Sequence, residues 1–216
     1  MGVSELVETF VFAAPGRDEA HALCFESLHE SDIGTRYTVC LHPESISAQQ
    51  HWLETHERAA QSSAEYVLML EDDCIVNEHI LHNVATWRWR VHPRFGAGWL
   101  YNAGGSSKGR DAWYTGPKEW FGTVAVLYRT ELMPQFIRDA WDRMQQRGIP
   151  WDYAISWAIQ RHHQIRVHAP AIVEHLDQLP SKMGNKAGRA YRTTRDSFQD
   201  EWKRPYNCPN HIRHNR

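Results

Sequence analysis

The chain has 216 residues, 42% of them hydrophobic, which suits one domain with a sizeable core and at most a small appendage. Its formal charge of -2 hides an uneven distribution: residues 181–216 carry nine Lys and Arg against three acids, so the tail is basic and the remainder acidic, as expected for a chain with an anionic partner or a solvated end. Four widely spaced cysteines (Cys24, Cys40, Cys74, Cys208) without a CxxC pair exclude a disulfide framework, no apolar run approaches the roughly 20 residues that span a bilayer, and MGVSELVETF lacks the basic and apolar regions of a leader, so the expected setting is reducing and cytoplasmic, without a membrane anchor.

The first element is a strand, Glu8 to Ala14, stopped by the turn signal Pro15-Gly16. Asp18 is placed to cap a helix with Ala22, Phe25 and Leu28 on its apolar face. RYTVCL, 36–41, predicts a second strand ending at His42-Pro43. Ser47 caps a second helix through about Gln61, with Trp52, Leu53 and Ala59-Ala60 at helical spacing. YVLML, 66–70, is a third strand. Strand and helix alternating over this length predict an α/β fold with a mixed, mainly parallel central sheet flanked by helices. Ligands bind such sheets outside the carboxyl ends of the strands.

Further along, a third helix is expected from Asn77 or Glu78 through about Trp89. GAGWLYNAGG reads as a strand running into a Gly- and Ser-rich loop, 104–111. GTVAVLY, 122–128, is another strand, and Glu131 to Gln146 another helix. Trp151-Asp152 opens the helix DYAISWAIQRHH, and IRVHAPAIVEH, 165–175, is extended with a break at Pro170. Beyond Leu176 the sequence predicts loops with one short helix near 195–202. The domain division is therefore 1–180 for the catalytic unit and 181–216 for a basic loop and tail.

The most informative stretch is YVLMLEDDCIVN, residues 66–77. Glu71, Asp72 and Asp73 follow a buried strand with no lysine or arginine beside them. Adjacent carboxylates repel, so the triplet calls for a positive partner. A hard divalent cation, Mn²⁺ or Mg²⁺, suits oxygen ligands supplemented by substrate phosphates. Side-chain alternation puts Glu71 and Asp73 on one side and Asp72 on the other, toward backbone amides. The plain alternative is an acidic helix-capping turn.

These residues carry a resemblance. YVLMLEDDCIVNEHILHNV resembles the DxD or EDD signature of nucleotide-sugar-dependent glycosyltransferases of the GT-A fold. GTVAVLYRTELMPQFI is similar to the strand–helix unit on the acceptor side of that family, WDYAISWAIQ to its base-bearing segment, and IRVHAPAIVEHLDQLPSKMG to its closing strand and late histidine. The likeness spans about 8–185. It implies a nucleotide-sugar donor, with a UDP-sugar expected, and Asp73 and His175 as metal ligands. It places Glu71 and Asp72 on the donor, Ser181 and Lys182 on the diphosphate, and Ala14, Pro15, Arg17 and Glu44 along base and ribose. Asp152 is implied as the general base of an inverting transfer. Simpler roles stand beside these: Asp152 as a helix N-cap, His175 as a core histidine, and residues 104–111 as a mobile acceptor-side loop lacking phosphate-loop spacing.

Two acceptors are compatible with the sequence. One is a glycan. The other is a hydroxymethylated pyrimidine in DNA, as in phage-type DNA glycosyltransferases, favoured by the basic tail and by ten tryptophans able to stack on rings; Trp113, Trp120 and Trp151 flank the acceptor elements. If the chain is phage-encoded, the setting is the host cytoplasm. Nucleotidyl transfer is an alternative, weakened by the single glycine of AAPGRDEA. A nucleic-acid-binding module without catalysis is another.

Overall fold

The computed structural model describes residues 6–101, 112–114, 122–168 and 171–176. In chain order the elements are β1 (Val7–Ala13), α1 (Asp18–Glu30), β2 (Tyr37–Leu41), α2 (Ala48–Ala59), β3 (Tyr66–Glu71), β4 (Cys74–Val76), α3 (Ile80–Thr86) and β5 (Phe95–Trp99). Then come β6 (Ala112–Tyr114), β7 (Ala125–Arg129), α4 (Met133–Arg147), α5 (Trp151–Gln160), β8 (Gln164–Val167) and β9 (Val173–His175).

Seven strands form one sheet in the order β2-β1-β3-β7-β5-β8-β6. The strands β2, β1, β3, β5 and β8 run parallel; β7 and β6 run against them. The strand β3 lies inside the sheet between β1 and β7, and its first five residues are all buried. Both of its faces need apolar cover, which explains an unbroken apolar run where a half-exposed strand would alternate. Leu68 and Leu70 meet α1 and α3 through Leu28, Ile80 and Val84. Val67 and Met69 meet α2, α4 and α5 through Trp52, Phe136, Ile155 and Ile159. Helices therefore cover both faces and leave the carboxyl ends of β1 and β3 open for a site.

Helix boundaries follow local chemistry. Ser47 accepts the Gln50 N–H at 3.1 Å and starts α2. Gly148, at φ 62°, closes α4 in the left-handed conformation. Asp18 does not cap α1: Arg17 holds the cap position, and Asp18 lies in the first turn, where its charge meets the helix dipole. The buried face of α1 is Ala20, Cys24 and Leu28, with Ala22 exposed, so the expected apolar face is rotated.

The third helix is shorter than expected. The chain first makes β4, and α3 begins only at Ile80. Its start is capped from a distance, because Asp32 accepts the N–H groups of Leu81 and His82 at 2.8 Å each. It ends where Trp87 packs on β5; a side chain at Gly98 would come within 2.3 Å of the Trp87 ring. A short 3-10 turn, Arg88–Val91, follows.

The extended stretch 165–175 also divides. β8 joins the main sheet, whereas β9 pairs with β4 in a separate two-stranded ribbon, in the register Cys74↔His175, Ile75↔Glu174 and Val76↔Val173. No helix among the described residues is long and apolar enough to cross a membrane.

Candidate active site

The acidic triplet sits where β1, β3 and the β4–β9 ribbon meet. Glu71 still belongs to β3, its N–H bonded to Val124 O at 2.9 Å. Residues 72–73 then turn, so strict side-chain alternation stops at Glu71. The two aspartates come to share one cation instead of facing apart.

That cation is Arg17. Its Nη1 donates to Asp72 Oδ1 and its Nη2 to Asp73 Oδ2, each at 2.6 Å. Arg17 reaches them because the loop after β1 turns at Gly16, whose φ of 71° suits glycine. The β1–α1 loop is fastened at the same point. Asp72 Oδ2 accepts the Ala14 N–H at 2.7 Å and lies 2.8 Å from His21 Nε2. Asp72 is 2% exposed and organises the loop from below. His21, one helical turn beyond Arg17, was not singled out from the sequence; its signal was the i, i+4 spacing that puts both residues on one face.

Asp73 has a different shell. Its Oδ2 receives Arg17 and lies 3.1 Å from His175 Nε2. Its carbonyl accepts the Leu176 N–H at 2.7 Å. Among the described residues, its Oδ1 is buried without a hydrogen-bond partner. Burial pushes this carboxyl up, but the hydrogen bond and charge of His175 and the guanidinium of Arg17 outweigh it and hold the group below the usual range. The Arg17 guanidinium is held above its usual range: burial lowers it, and the charge of Asp73 and then Asp72 outweighs that.

Glu71 leans the other way. Its Oε1 accepts the Thr123 hydroxyl at 2.7 Å, and Thr123 Oγ1 in turn accepts the Trp151 indole N–H at 3.3 Å. Glu71 borders a cavity of about 10 Å³ with Trp52, His56, Tyr128 and Trp151. Burial, and then the charge of Asp73, pushes its carboxyl up to about 7. Asp152 lies nearby in the first turn of α5; Pro150 holds the cap position, so Asp152 is not the N-cap. Its Oδ1 accepts the Tyr153 N–H at 2.9 Å and its Oδ2 the Gly122 N–H at 3.4 Å. Burial raises Asp152, and these backbone donors partly offset the rise.

The structure thus brings together Ala14, Arg17, Asp72, Asp73 and His175, with Glu71 and Asp152 on the adjoining side. Pro15 lies in the same loop. Glu44 is exposed in the turn after β2, and no described contact joins it to the carboxylates. Ser181, Lys182, the loop 104–111, Trp120 and the tail 181–216 lie outside the described residues, as does the side chain of Trp113. A larger cleft of about 950 Å³, lined by Thr9, Arg36, Tyr37 and Glu65, opens at the opposite, amino-terminal end of the strands. Open α/β sheets bind ligands at the carboxyl ends, which makes the acidic end the candidate site.

Whether the residues suit a divalent cation depends on Asp73. Among the described residues, no group of three or more His, Cys, Asp and Glu could enclose a metal. A two-residue set remains: the orphaned Oδ1 of Asp73 and the imidazole of His175. That set fits Mn²⁺ or Mg²⁺ when phosphate oxygens complete the shell, the common arrangement for these ions.

No protein-family model and no curated protein sequence matches the chain. Solved structures do. The glycosyltransferase GlyE of Streptococcus pneumoniae TIGR4 aligns with a TM-score of 0.50 at 11% identity, over 76% of this chain and 45% of that one. Its apo form aligns with the same score and identity over 74% and 45%. Residues 1–349 of S. aureus TarS align with a TM-score of 0.49 at 12% identity, over 79% and 60%. The chain therefore spans less than half of GlyE. The likeness to GlyE establishes that the described residues share the fold of that part of GlyE.

Proposed function

We propose that the chain is the catalytic part of a metal-dependent glycosyltransferase. It moves a sugar from a nucleoside diphosphate, with UDP the first choice, to an acceptor hydroxyl with inversion. The observation that carries this reading is the pairing of Asp73 with His175 just beyond the carboxyl end of β3, with one Asp73 oxygen buried and unpartnered among the described residues.

A cation held by Asp73 and His175 supplies positive charge to the departing diphosphate. The residues do the rest. Asp72 holds the Ala14–Arg17 loop, which borders the donor. Ser181 and Lys182 are the expected further contacts to the diphosphate. Asp152 accepts the proton of the acceptor hydroxyl as the new oxygen–carbon bond forms at the anomeric centre. The bond from that carbon to the β-phosphate oxygen breaks, and its electron pair stays on the diphosphate. Trp151, tied to Thr123 beside Asp152, walls the acceptor side.

Two acceptor classes follow, a glycan hydroxyl or the hydroxymethyl group of a modified pyrimidine in DNA. The nine basic residues of the tail support the second through phosphate contacts.

The test is donor turnover with a panel of UDP- and GDP-sugars, in Mn²⁺ or EDTA, offering hydroxymethylcytosine DNA and a glycan mixture separately. Nucleotide release that needs metal and rises with one acceptor is the expected result, and that acceptor names the substrate class. Pyrophosphate release from a nucleoside triphosphate points instead to nucleotidyl transfer. Metal-free, nucleotide-independent DNA binding without turnover points to a binding module.

A further inference from the structure

Arg17 occupies the carboxylate that a divalent cation needs. Its Nη2 lies 2.6 Å from Asp73 Oδ2, the oxygen that His175 also approaches, and the Arg17 side chain is only 13% exposed. A divalent cation on Asp73 would therefore meet a guanidinium at contact distance. Like charges this close, in a site with little solvent screening, exclude one another.

Arg17 can leave Asp73 without losing its place. Its Nη1 remains bonded to Asp72 Oδ1 through a separate 2.6 Å contact. Asp72 is secured independently, by the Ala14 N–H and by His21. Arg17 also lies in a loop, just before the first residue of α1, so its side chain can turn without moving a helix. What could draw it off Asp73 is a second anion. A diphosphate offers a charged oxygen that can accept from Nη2 in place of Asp73 while Nη1 stays on Asp72.

We propose that Arg17 is an interlock between cation and diphosphate. In the free protein it neutralises Asp73 and disfavours metal binding. Diphosphate takes up Nη2, releases Asp73, and so admits the cation. Each ligand then strengthens the other, and neither is held well alone. This rests on the metal-dependent reading above and adds to it the order and coupling of binding. Arg17 acts here as a positioning residue whose effect is felt through Asp73.

Mn²⁺ binding to the full chain without substrate, followed by the free-ion electron paramagnetic resonance signal, tests it apart from catalysis. Arg17→Gln removes the cation and leaves a shorter, neutral polar side chain. It should bind Mn²⁺ about tenfold more tightly than the unaltered protein, and UDP should enhance its Mn²⁺ affinity far less. Arg17→Lys keeps a charge but loses the fork and should fall between the two, and it serves if the glutamine variant does not fold. Mn²⁺ should also raise the melting temperature of each variant more than that of the parent.

Equal or weaker Mn²⁺ binding by both variants, with UDP-linked binding intact in the parent, overturns the interlock and leaves metal dependence standing. No Mn²⁺ binding by the parent with UDP, or by either variant, overturns the metal reading and the interlock together.

Discussion

His175 Nε2 lies 3.1 Å from Asp73 Oδ2, although 102 residues separate them in the chain. The β4–β9 ribbon makes the meeting possible. Cys74 and His175 are register partners, and Leu176 N–H bonds to Asp73 O at 2.7 Å, so His175 arrives with its backbone already fixed. This gives the pair a testable division of labour. Asp73→Ala should abolish metal-dependent nucleotide binding and transfer. His175→Ala should weaken Mn²⁺ binding by at least about tenfold while leaving a measurable site, because Asp73 keeps its place without the imidazole. Equilibrium dialysis of Mn²⁺ with UDP present checks both. An active, metal-independent Asp73→Ala protein would sink the assignment.

Asp152 is held more locally. It is fastened by its own helix start and by the Gly122 N–H, and burial raises it above an ordinary aspartate. A base of this kind is ionised and active only above its raised pKa, so the rate should fall on the acid side at a pH higher than a free aspartate would give. Asp152→Asn should lower kcat by about a hundred- to ten-thousand-fold while KM for the donor stays near that of the parent. Steady-state kinetics over a pH series decide it. If Asp152→Asn keeps its rate, Asp152 serves only the first turn of α5.

Much of this arrangement was readable from the residues. The buried run Tyr66–Leu70 announced a strand covered on both faces, and its acidic end pointed to the candidate site. The helix α2 followed from apolar spacing and Ser47, and α4 and α5 fall on the stretches expected to be helical. The β4–β9 ribbon was not readable. Its strands have three residues each, too few for periodicity to register, and their pairing is set by contacts far apart in sequence. Arg17 was expected along base and ribose, but its pairing with the aspartates was hidden, since nothing local shows that the turn at Gly16 aims it at two carboxylates beyond a neighbouring strand. His51 and His56, buried at 4% and 5% exposure, show why counting fourteen histidines says little about which are solvated.

His56 links that burial to pH. Its Nδ1 lies 2.9 Å from Trp52 O, and its ring lies against Trp52 with centroids 4.3 Å apart. Burial lowers it to about 4 from an ordinary 6.5. The unfolded chain takes up the proton first as pH falls, so His56 leaves stability intact above about 6.5 and erodes it between there and about 4, by up to about 3 kcal/mol. Urea midpoints at pH 7.5 and 4.5 should differ less in His56→Gln than in the parent. Equal differences in the two proteins would show that His56 is not the source.

Glu71 runs in the opposite sense. Its carboxyl is raised to about 7 from 4.5 because burial and the charge of Asp73 both oppose ionisation, while the Thr123 hydroxyl stabilises the ionised form only in part. A raised carboxyl contributes fully while both states are protonated, below about 4.5, and loses that contribution as pH rises through about 7. Glu71→Gln keeps an oxygen to accept the Thr123 hydroxyl and removes the charge. It should therefore be more stable than the parent at pH 8, by on the order of 2 kcal/mol, and nearly equal to it at pH 4.5. Urea unfolding at the two pH values checks this. The same variant separates two roles for Glu71: a carboxylate whose charge serves the donor loses transfer when it becomes an amide, whereas one that only anchors Thr123 and the Trp151 wall keeps it. A protein that is stabilised at pH 8 yet inactive would place Glu71 among the residues that give up stability for catalysis.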